Sequence, residues 1–220
     1  MSSPGNVSAG MSQEVDHPLF ARLYARLSPR WESAGVGEHR DELLAGLSGR
    51  VVELGAGNGL NFRHYPDAVT EVVAVEPEDY LRERAGRAAA DAPVQVRVVD
   101  ALADRLPFPD DSFDAAVASL VLCSVPDQAA SLGELRRVLR HGGELRFYEH
   151  VRPDSPRKAA VWQRLDDWNI WPRIAGGCHA TRDTEAAIRD AGFEIERCRR
   201  FTFSGGPGIV PHILGVARRP

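Results

Sequence analysis

The sequence predicts an α/β fold in which helices cover both faces of a mostly parallel sheet. Short apolar segments alternate with segments of helical periodicity along most of the chain, and this alternation is typical of βαβ units. A glycine-rich turn follows the first apolar segment, and an acidic residue stands near the end of each of the first three. These observations together predict a ligand site at the carboxyl edge of the sheet.

The predicted elements follow one another in the order that such a fold requires. Apolar residues at helical spacing predict two N-terminal helices, at about 16–27 and about 36–47. Strands are then expected at about 51–54, 71–75, 94–99, 113–119 and 143–149. Further helices are expected at about 60–65, 79–90, 128–140, 157–168 and 182–191. Two last apolar stretches, at about 192–201 and 211–217, predict closing strands.

The turn after the first strand carries the most informative pattern in the chain. Glu53 is followed by glycines at alternate positions, Gly55, Gly57 and Gly59. Glycine accepts a positive φ and lets a ligand approach the backbone. The dinucleotide fingerprint G-x-G-x-x-G would place its third glycine where this chain has Leu60. A carboxylate at the strand end also favours a ligand with an ammonium group over a pyrophosphate, so Gly55 and Gly57 are predicted to bind such a cofactor.

Acids after the next two strands extend this predicted site. Glu76 ends the second strand 19 residues after Gly57, where a carboxylate can accept both hydroxyls of an adenosine ribose. Asp100 and Ala101 follow the third strand, and the aspartate is expected to meet the adenine amino group. An acid at the second position serves several nucleoside cofactors, so it does not by itself identify the ligand.

Composition limits the class of protein. A chain of 220 residues with 43% hydrophobic content suits one domain, expected over residues 16–220 after a disordered Ser/Gly-rich tail at residues 1–15. The net charge of −4 and the scattered arginines argue against a nucleic-acid partner. No apolar stretch approaches the length of about 18 residues that a transmembrane segment needs. The sequence predicts no particular oligomeric state.

The cysteines indicate the redox compartment. Cys123, Cys178 and Cys198 form no C-x-x-C pair, so we expect reduced thiols in a cytoplasmic protein and no metal site. The high Ala and Arg content suggests a bacterial source. Cys123 is expected in the core, and Cys178 with His179 in a lid loop. A zinc site built from Cys178, His179 and a distant third ligand is disfavoured.

The glycine turn, written E-x-G-x-G-x-G, resembles motif I of class I S-adenosylmethionine methyltransferases. Two later segments resemble the ubiquinone/menaquinone-type branch of that class, methyltransferase domain type 11. They are Asp100–Asp114, DALADRLPFPDDSFD, and Val138–Gly143, VLRHGG, in which His141 replaces the usual proline. The resemblance implies a Rossmann-like seven-stranded sheet that is mostly parallel and ends in an antiparallel hairpin. It also implies S-adenosyl-L-methionine as the cofactor.

A narrower resemblance is spread over residues 50–217. Several short segments look like the methyltransferase-like proteins that methylate alkyl thiols: Asn61–Pro66, Leu120–Val125, Glu149–Val151, Gly177–Cys178, Thr181–Arg182 and Pro211–Ile213. This likeness implies a small-molecule methyl acceptor. In this class the acceptor pocket is built from an N-terminal helical cap, here residues 16–48, and from the insert after the fifth strand, here residues 151–182.

The resemblance also implies roles for cofactor residues. Glu53 would orient the turn or, through water, the methionine ammonium, while Ser119 and Leu120 would border the methionine chain. Asn61 and Tyr24 would close over the cofactor, although the spacing of Tyr24 equally suits a core position. His17 is expected on the surface at a helix start rather than at the cofactor. The predicted cofactor residues are Glu53, Gly55, Gly57, Asn61, Glu76, Asp100, Ala101, Ser119 and Leu120.

Glu149 and His150, at the end of the fifth strand, are the predicted catalytic residues. A histidine removes protons near neutral pH because its ordinary pKa is about 6.5, and the alternative for His150 is a purely structural role. Three tryptophans lie close together in the following insert and either pack under a lid or line the acceptor pocket: Trp162, Trp168 and Trp171.

These features predict a methyltransferase that acts on a small molecule, with a thiol as the leading acceptor. A thiol needs little activation because a few per cent of it is already thiolate near pH 7. The alternatives are C-, O- or N-methylation of a quinone precursor, a phospholipid amine or a secondary metabolite. A protein that binds the cofactor for regulation without turnover is a further alternative, and it would show tight cofactor binding with no methyl transfer.

Overall fold

The computed structural model describes residues 18–202 and 210–220. The predicted tail at residues 1–15 and His17 lie outside these ranges. Seven strands form one sheet: β1 Gly49–Leu54, β2 Val69–Val75, β3 Val96–Val99, β4 Phe113–Ser119, β5 Leu139–His150, β6 Glu194–Phe201 and β7 His212–Arg218. Their order across the sheet is β3-β2-β1-β4-β5-β7-β6.

The sheet is parallel except at one edge. The first five strands in this order, β3-β2-β1-β4-β5, run parallel to one another, whereas β7 is antiparallel to both β5 and β6. The predicted mostly parallel α/β sheet with a C-terminal antiparallel hairpin is therefore confirmed. The strand order reverses direction between β1 and β4, and open α/β sheets bind ligands beyond the carboxyl ends of their strands at such a point.

The helices lie on both sides of this sheet. They are α1 Pro18–Trp31, α2 Gly37–Leu44, α3 Asp79–Ala89, α4 Gln128–Val138, α5 Pro156–Asp167, α6 Ile170–Ile174 and α7 Thr184–Asp190. A π-helical turn, Glu32–Val36, joins α1 to α2. Carboxylates cap three of the helices by accepting a backbone N–H of the first turn: Glu78 accepts from Leu81, Asp127 from Ala130 and Asp183 from Ala186.

The predicted helix at about 60–65 is wrong. Only a single 3₁₀ turn forms there, Phe62–His64, and Tyr65 is already extended with ψ 131°. The cause is Pro66, because a proline disfavours the helical conformation of the residue before it. The fifth strand is also longer than its apolar pattern predicts, since it begins at Leu139.

Apolar side chains pack on both faces of the sheet. One cluster includes Leu54, Phe113 and Phe147, and the other includes Val51, Phe62 and Tyr148. A smaller cluster of Ala21, Ala25 and Leu81 joins α1 to α3, which holds the first helix across the carboxyl edge of the sheet.

Gly215, in the middle of β7, marks a place where the core leaves no room for a side chain. A Cβ there would overlap the carbonyl oxygen of Arg197 and the ring of Phe147. We expect Gly215→Ala to lower the free energy of unfolding by about 1–3 kcal/mol, the usual cost of overpacking, in denaturant titrations. Gly86→Ala is the matched control, because its Cβ would meet nothing within 4 Å on an exposed turn of α3. It should be neutral or stabilise by up to about 1 kcal/mol, and an equal loss in both variants would contradict this account.

Candidate active site

A cavity of about 700 Å³ opens at the carboxyl ends of the central strands. This volume lies within the range of about 300–1,000 Å³ typical of small-molecule sites. Helix α1 and the turns after β1, β2, β4 and β5 contribute to its walls, and we call this cavity the cleft. Six of the predicted site residues line it: Gly55, Gly57, Glu76, Ser119, Leu120 and His150.

The glycine turn presents backbone rather than side chains to the cleft. Gly55 and Gly57 have φ of 59° and 57°, conformations that favour glycine. A Cβ on Gly57 would lie 3.4 Å from Cε1 of Tyr24, so the ring of Tyr24 on α1 packs beside the turn at van der Waals distance, and both residues line the cleft. The turn therefore presents bare backbone to the cleft beside the ring of Tyr24.

Glu76 lies where β2 meets the cleft. Its Oε2 accepts the N–H of Gly57 at 2.7 Å, and its Oε1 accepts the N–H of Glu78 at 3.1 Å. Burial raises the pKa of Glu76 to about 7, against the hydrogen bonds that lower it. A carboxylate with two oxygens at the cleft wall suits a pair of ribose hydroxyls.

Glu53 and Asn61 lie beneath the cleft rather than in its wall. The Glu53 carboxylate accepts the amide N–H of Asn61 at 2.8 Å and the hydroxyl of Tyr65 at 2.7 Å. Asn61 in turn accepts from the guanidinium of Arg40 at 2.5 Å. Burial raises the pKa of Glu53 to about 7. The structure thus gives both predicted residues a supporting position, and Asn61 does not close over the cleft.

Arg40, on α2, is a cleft residue that the sequence did not indicate. Its guanidinium is buried, donates to Oε2 of Glu32 at 3.0 Å and to Oγ of Ser119 at 3.3 Å, and reaches the cleft wall. A lone arginine in an N-terminal helix has no local pattern that would single it out. Its place beside Ser119 puts a fixed positive charge at the base of the cleft.

The turn after β3 differs in detail from the prediction. The Asp100 side chain is 68% exposed and lies 3.5 Å from Arg82, and Ala101 packs against the core. Neither lines the cleft, whereas Leu102, Ala103 and Asp104 do. Oδ1 of Asp104 is buried and has no hydrogen-bond partner among the described residues. An unpaired buried acceptor beside the cleft suits a donor such as an adenine amino group.

Ser119 and Leu120 form the sharp end of β4. Leu120 has φ 58°, in the left-handed region, and its N–H donates to the carbonyl of Tyr148 at 2.6 Å. Ser119 accepts from Arg40. These two contacts hold the end of β4 between Arg40 and β5, and both residues line the cleft.

Glu149 and His150 point to opposite sides of β5, as neighbouring strand residues do. Glu149 is fully buried, and its carboxylate accepts the N–H groups of Val121, Leu122 and Cys123 at 2.9–3.2 Å. It therefore holds the turn after β4 and does not face the cleft. His150 does face the cleft, where its Nδ1 lies between two sulfurs, 3.7 Å from Cys123 Sγ and 3.6 Å from Cys178 Sγ.

Aromatic side chains complete the wall around His150. His212 of β7 stacks on Tyr148, and burial lowers its pKa to about 3, so this imidazole stays neutral. Trp171 lines the cleft and meets Trp162 edge to face at 4.9 Å between ring centroids. Trp168 is 69% exposed. The wall of the cleft is thus polar at the glycine turn, with bare backbone and carboxylates, and mostly apolar near His150.

The groups along the glycine side fit a nucleoside that bears an amino acid. The turn offers bare backbone, Glu76 offers two acceptor oxygens, Asp104 offers an unpaired acceptor and Arg40 offers a cation.

Across the part of the chain that the structure describes, no helix is long and apolar enough to cross a membrane.

Comparisons with known proteins agree with this geometry. The family model of the methyltransferase domain matches residues 52–147. Thiol S-methyltransferase TMT1B from Homo sapiens is 36% identical over 219 residues, which cover 94% of this chain and 89% of that protein. Thiol S-methyltransferase TMT1A from Homo sapiens is 32% identical over 79% of this chain and 73% of its own.

Solved structures show the same fold at lower identity. An S-adenosylmethionine-dependent methyltransferase from Mesorhizobium loti has a TM-score of 0.60 and 23% identity, and the match covers 84% of this chain and 98% of that one. With the glycine turn, the cleft and the relatives in agreement, the chain belongs to the class I S-adenosylmethionine-dependent methyltransferases, in the family of TMT1A and TMT1B, and its cofactor is S-adenosylmethionine.

Proposed function

We propose that this methyltransferase transfers its methyl group to the sulfur of a small apolar thiol. The observation that carries the proposal is the composition of the acceptor wall, where His150 and two cysteine sulfurs stand among aromatic side chains. Such a wall suits a soft, apolar acceptor better than a charged or strongly hydrated one. The relatives TMT1B and TMT1A are named as thiol S-methyltransferases, which supports the same acceptor class.

The proposed contacts to the cofactor follow from the described residues. Glu76 accepts the ribose hydroxyls in place of the Gly57 N–H that it now accepts. The Arg40 guanidinium binds the methionine carboxylate, and the backbone of Gly55 and Gly57 lies along the methionine chain. Asp104 accepts from the adenine amino group, the part that the sequence assigns to Asp100. Glu53 and Asn61 act by positioning Arg40 and the turn.

The residues of the acceptor wall align the reactants and keep water away. When bound, the cofactor supplies a methyl group on a positively charged sulfur that leaves as a neutral thioether. The chain therefore has to hold the acceptor sulfur in line with the methyl group and exclude solvent. Bound and oriented in this way, the two reactants react as in a unimolecular step. His150 is proposed to assist the acceptor in losing its proton, and Glu149 to hold the turn that carries Cys123.

The setting of the reaction is proposed from the thiols and the charge. Cys123 and Cys178 are free although they share the wall of the cleft, which supports a reducing cytoplasm, and the Ala- and Arg-rich composition supports a bacterial one. The net charge of −4 supports small-molecule rather than nucleic-acid partners.

A panel of acceptors tests the proposed function. Purified protein and S-adenosylmethionine are incubated with alkyl and aryl thiols, phenols, quinone precursors, amines and vesicles containing phosphatidylethanolamine, and S-adenosylhomocysteine release is measured. Turnover should be highest with thiols. Activity with vesicles or quinone precursors and none with thiols would contradict the proposal, and cofactor binding without turnover on any acceptor would favour a regulatory protein.

Cofactor affinity should depend on pH through Glu76. The ionised carboxylate is the better acceptor for two hydroxyls, and burial places the pKa of Glu76 at about 7 in the ligand-free protein. Affinity for S-adenosylmethionine should therefore rise by up to about tenfold between pH 6 and pH 8. Because folding raises this pKa from 4.5, Glu76 should also lower the stability of the ligand-free protein as pH rises from 4.5 to about 7.

Calorimetric titrations of the cofactor at both pH values check this expectation. Glu76→Gln should bind more weakly and lose most of the pH dependence, since its amide does not titrate. A wild-type affinity that is the same at pH 6 and pH 8 would contradict the role of Glu76.

A further inference from the structure

Three potential metal ligands meet in the acceptor wall. Cys123 Sγ, His150 Nδ1 and Cys178 Sγ all lie within 4.8 Å of one another, and all three residues line the cleft. They come from three separate elements: the turn after β4, the end of β5, and the loop between α6 and α7. The cysteines are 1% and 4% exposed, so the cluster is shielded from bulk solvent while remaining open to the cleft.

The distances in this cluster suit zinc. Zinc bonds sulfur at about 2.3 Å and imidazole nitrogen at about 2.0–2.1 Å, so a tetrahedral ion holds such a pair about 3.6 Å apart. The two sulfur-to-nitrogen distances in the structure are 3.7 and 3.6 Å. Two thiolates and one imidazole also form the soft donor set that zinc takes in catalytic sites, where three protein ligands leave the fourth position open.

The backbone around the cluster is held in place by other contacts. Glu149 accepts the N–H of Cys123, and the N–H of His179 donates to the carbonyl of Cys123 at 2.8 Å, which joins the two cysteine segments. Arg182 and Gln128 both donate to the carbonyl of Leu122. A cluster supported in this way is preorganised, as metal sites require. These contacts also give a role to the fully buried carboxylate of Glu149, which precedes His150 at the end of β5.

We propose that Cys123, His150 and Cys178 bind one Zn²⁺ ion whose fourth position faces the cleft and takes the sulfur of the acceptor thiol. This proposal rests on the proposed function and specifies how the acceptor is held. His150 then assists the acceptor as a ligand of the metal, and the acceptor proton leaves to solvent as its sulfur binds zinc. The two cysteines are 27 and 28 residues from His150 in the chain, a spacing that no short ligand pattern in the sequence indicates.

The methyl transfer at this site conserves atoms and charge. The acceptor R–SH loses one proton and binds zinc as the thiolate R–S⁻. Its sulfur then forms a bond to the methyl carbon of the cofactor, while the bond from that carbon to the sulfonium sulfur breaks and its electron pair stays on the leaving thioether. The products are R–S–CH₃, S-adenosylhomocysteine and one proton. The methyl thioether is neutral and a weak ligand, so it leaves the metal to the next thiol.

Metal binding by the full-length protein tests this site without any assay of turnover. The reduced, chelator-treated protein is titrated with Zn²⁺ against a chromophoric competitor, and with Co²⁺ to record thiolate-to-metal charge-transfer bands. We expect one equivalent of metal and a spectrum typical of tetrahedral coordination by two thiolates. Loss of a residue that only supports a metal ligand lowers metal affinity by about 10- to 100-fold. Cys123→Ser and Cys178→Ser should each lower the affinity for Zn²⁺ by more than this. Cys198→Ser, on β6 and outside the cleft, is the matched control and should bind like the wild type.

The possible results separate this proposal from the proposed function. Failure of the reduced wild-type protein to bind Zn²⁺, or a disulfide between Cys123 and Cys178 with no metal uptake after reduction, would overturn the zinc site even if thiols are methylated. If the protein binds zinc but methylates thiols at the full rate after the metal is removed, the acceptor-binding role of the metal is overturned. Adding an alkyl thiol should shift the Co²⁺ spectrum whether or not the cofactor is present, and an unchanged spectrum would also overturn that role. Absence of thiol turnover in a protein that binds zinc and shows this shift would instead contradict the proposed function.

Discussion

Replacing His150 by alanine is expected to lower thiol turnover by on the order of 100-fold or more, the scale of losing a group that helps the acceptor to ionise. Affinity for S-adenosylmethionine should stay unchanged, because the proposed cofactor contacts come from Glu76, Arg40 and the glycine turn and do not include this imidazole. The loss should be smaller for an aryl thiol than for an alkyl thiol, since a thiol that ionises readily needs less assistance. Steady-state kinetics with both thiols and cofactor titrations provide these measurements.

His141→Ala is the matched control for this variant. His141 lies on the same strand, β5, but its side chain is exposed. Its Nδ1 forms a hydrogen bond with the carbonyl oxygen of Pro220. It should leave both turnover and cofactor affinity at wild-type values. Equal losses with alkyl and aryl thiols, together with a lowered melting temperature, would indicate that His150 is structural.

Replacing Gly57 by alanine should weaken cofactor binding by about 10- to 100-fold, which corresponds to an overpacking cost of about 1–3 kcal/mol. The added methyl group would project from the turn beside the ring of Tyr24, on the backbone surface that is proposed to lie along the methionine chain. The substitution should also lower the stability of the fold, because residues other than glycine adopt φ 57° at a cost. Cofactor titration and thermal unfolding separate these two effects.

Gly46→Ala isolates the backbone contribution. Gly46 has φ 77°, and a Cβ there would meet nothing within 4 Å. The two variants should lose similar stability, yet only Gly57→Ala should lose cofactor affinity. If both retain wild-type affinity, the glycine turn does not contact the cofactor.

The parts of the site that the sequence could predict are those encoded within a few residues. The glycine turn after β1 has its spacing written in the chain, and Glu76 follows from the next strand end. Both line the cleft as expected. Local pattern is sufficient here because a parallel sheet brings consecutive strand ends to one edge.

Other residues depend on geometry that a linear pattern does not carry. Side chains alternate across a strand, but the sequence does not show which face of β5 meets the cleft, so it cannot separate the supporting position of Glu149 from the cleft position of His150. The turn after β3 closes through a bridge between Leu102 and Arg105, which places Asp104 rather than Asp100 at the cleft.

Long-range contacts account for the remaining differences. Arg40 reaches the cleft from α2 through Glu32 and Ser119, which are far apart in the chain. The cysteines of the acceptor wall come from either side of His150 and meet only when the loop before α7 folds back on the turn after β4. Neither arrangement has a signature in composition or periodicity.

The most direct test of the central claim uses two acceptors that differ in a single atom. An alkyl thiol and the alcohol of the same carbon skeleton are each incubated with protein and S-adenosylmethionine, and the methylated product is identified by mass spectrometry. S-methylation by an enzyme with this acceptor wall predicts the methyl thioether from the thiol and no methyl ether from the alcohol. Saturable cofactor binding with no thioether from any thiol, while an amine or a quinone carbon is methylated, would contradict it.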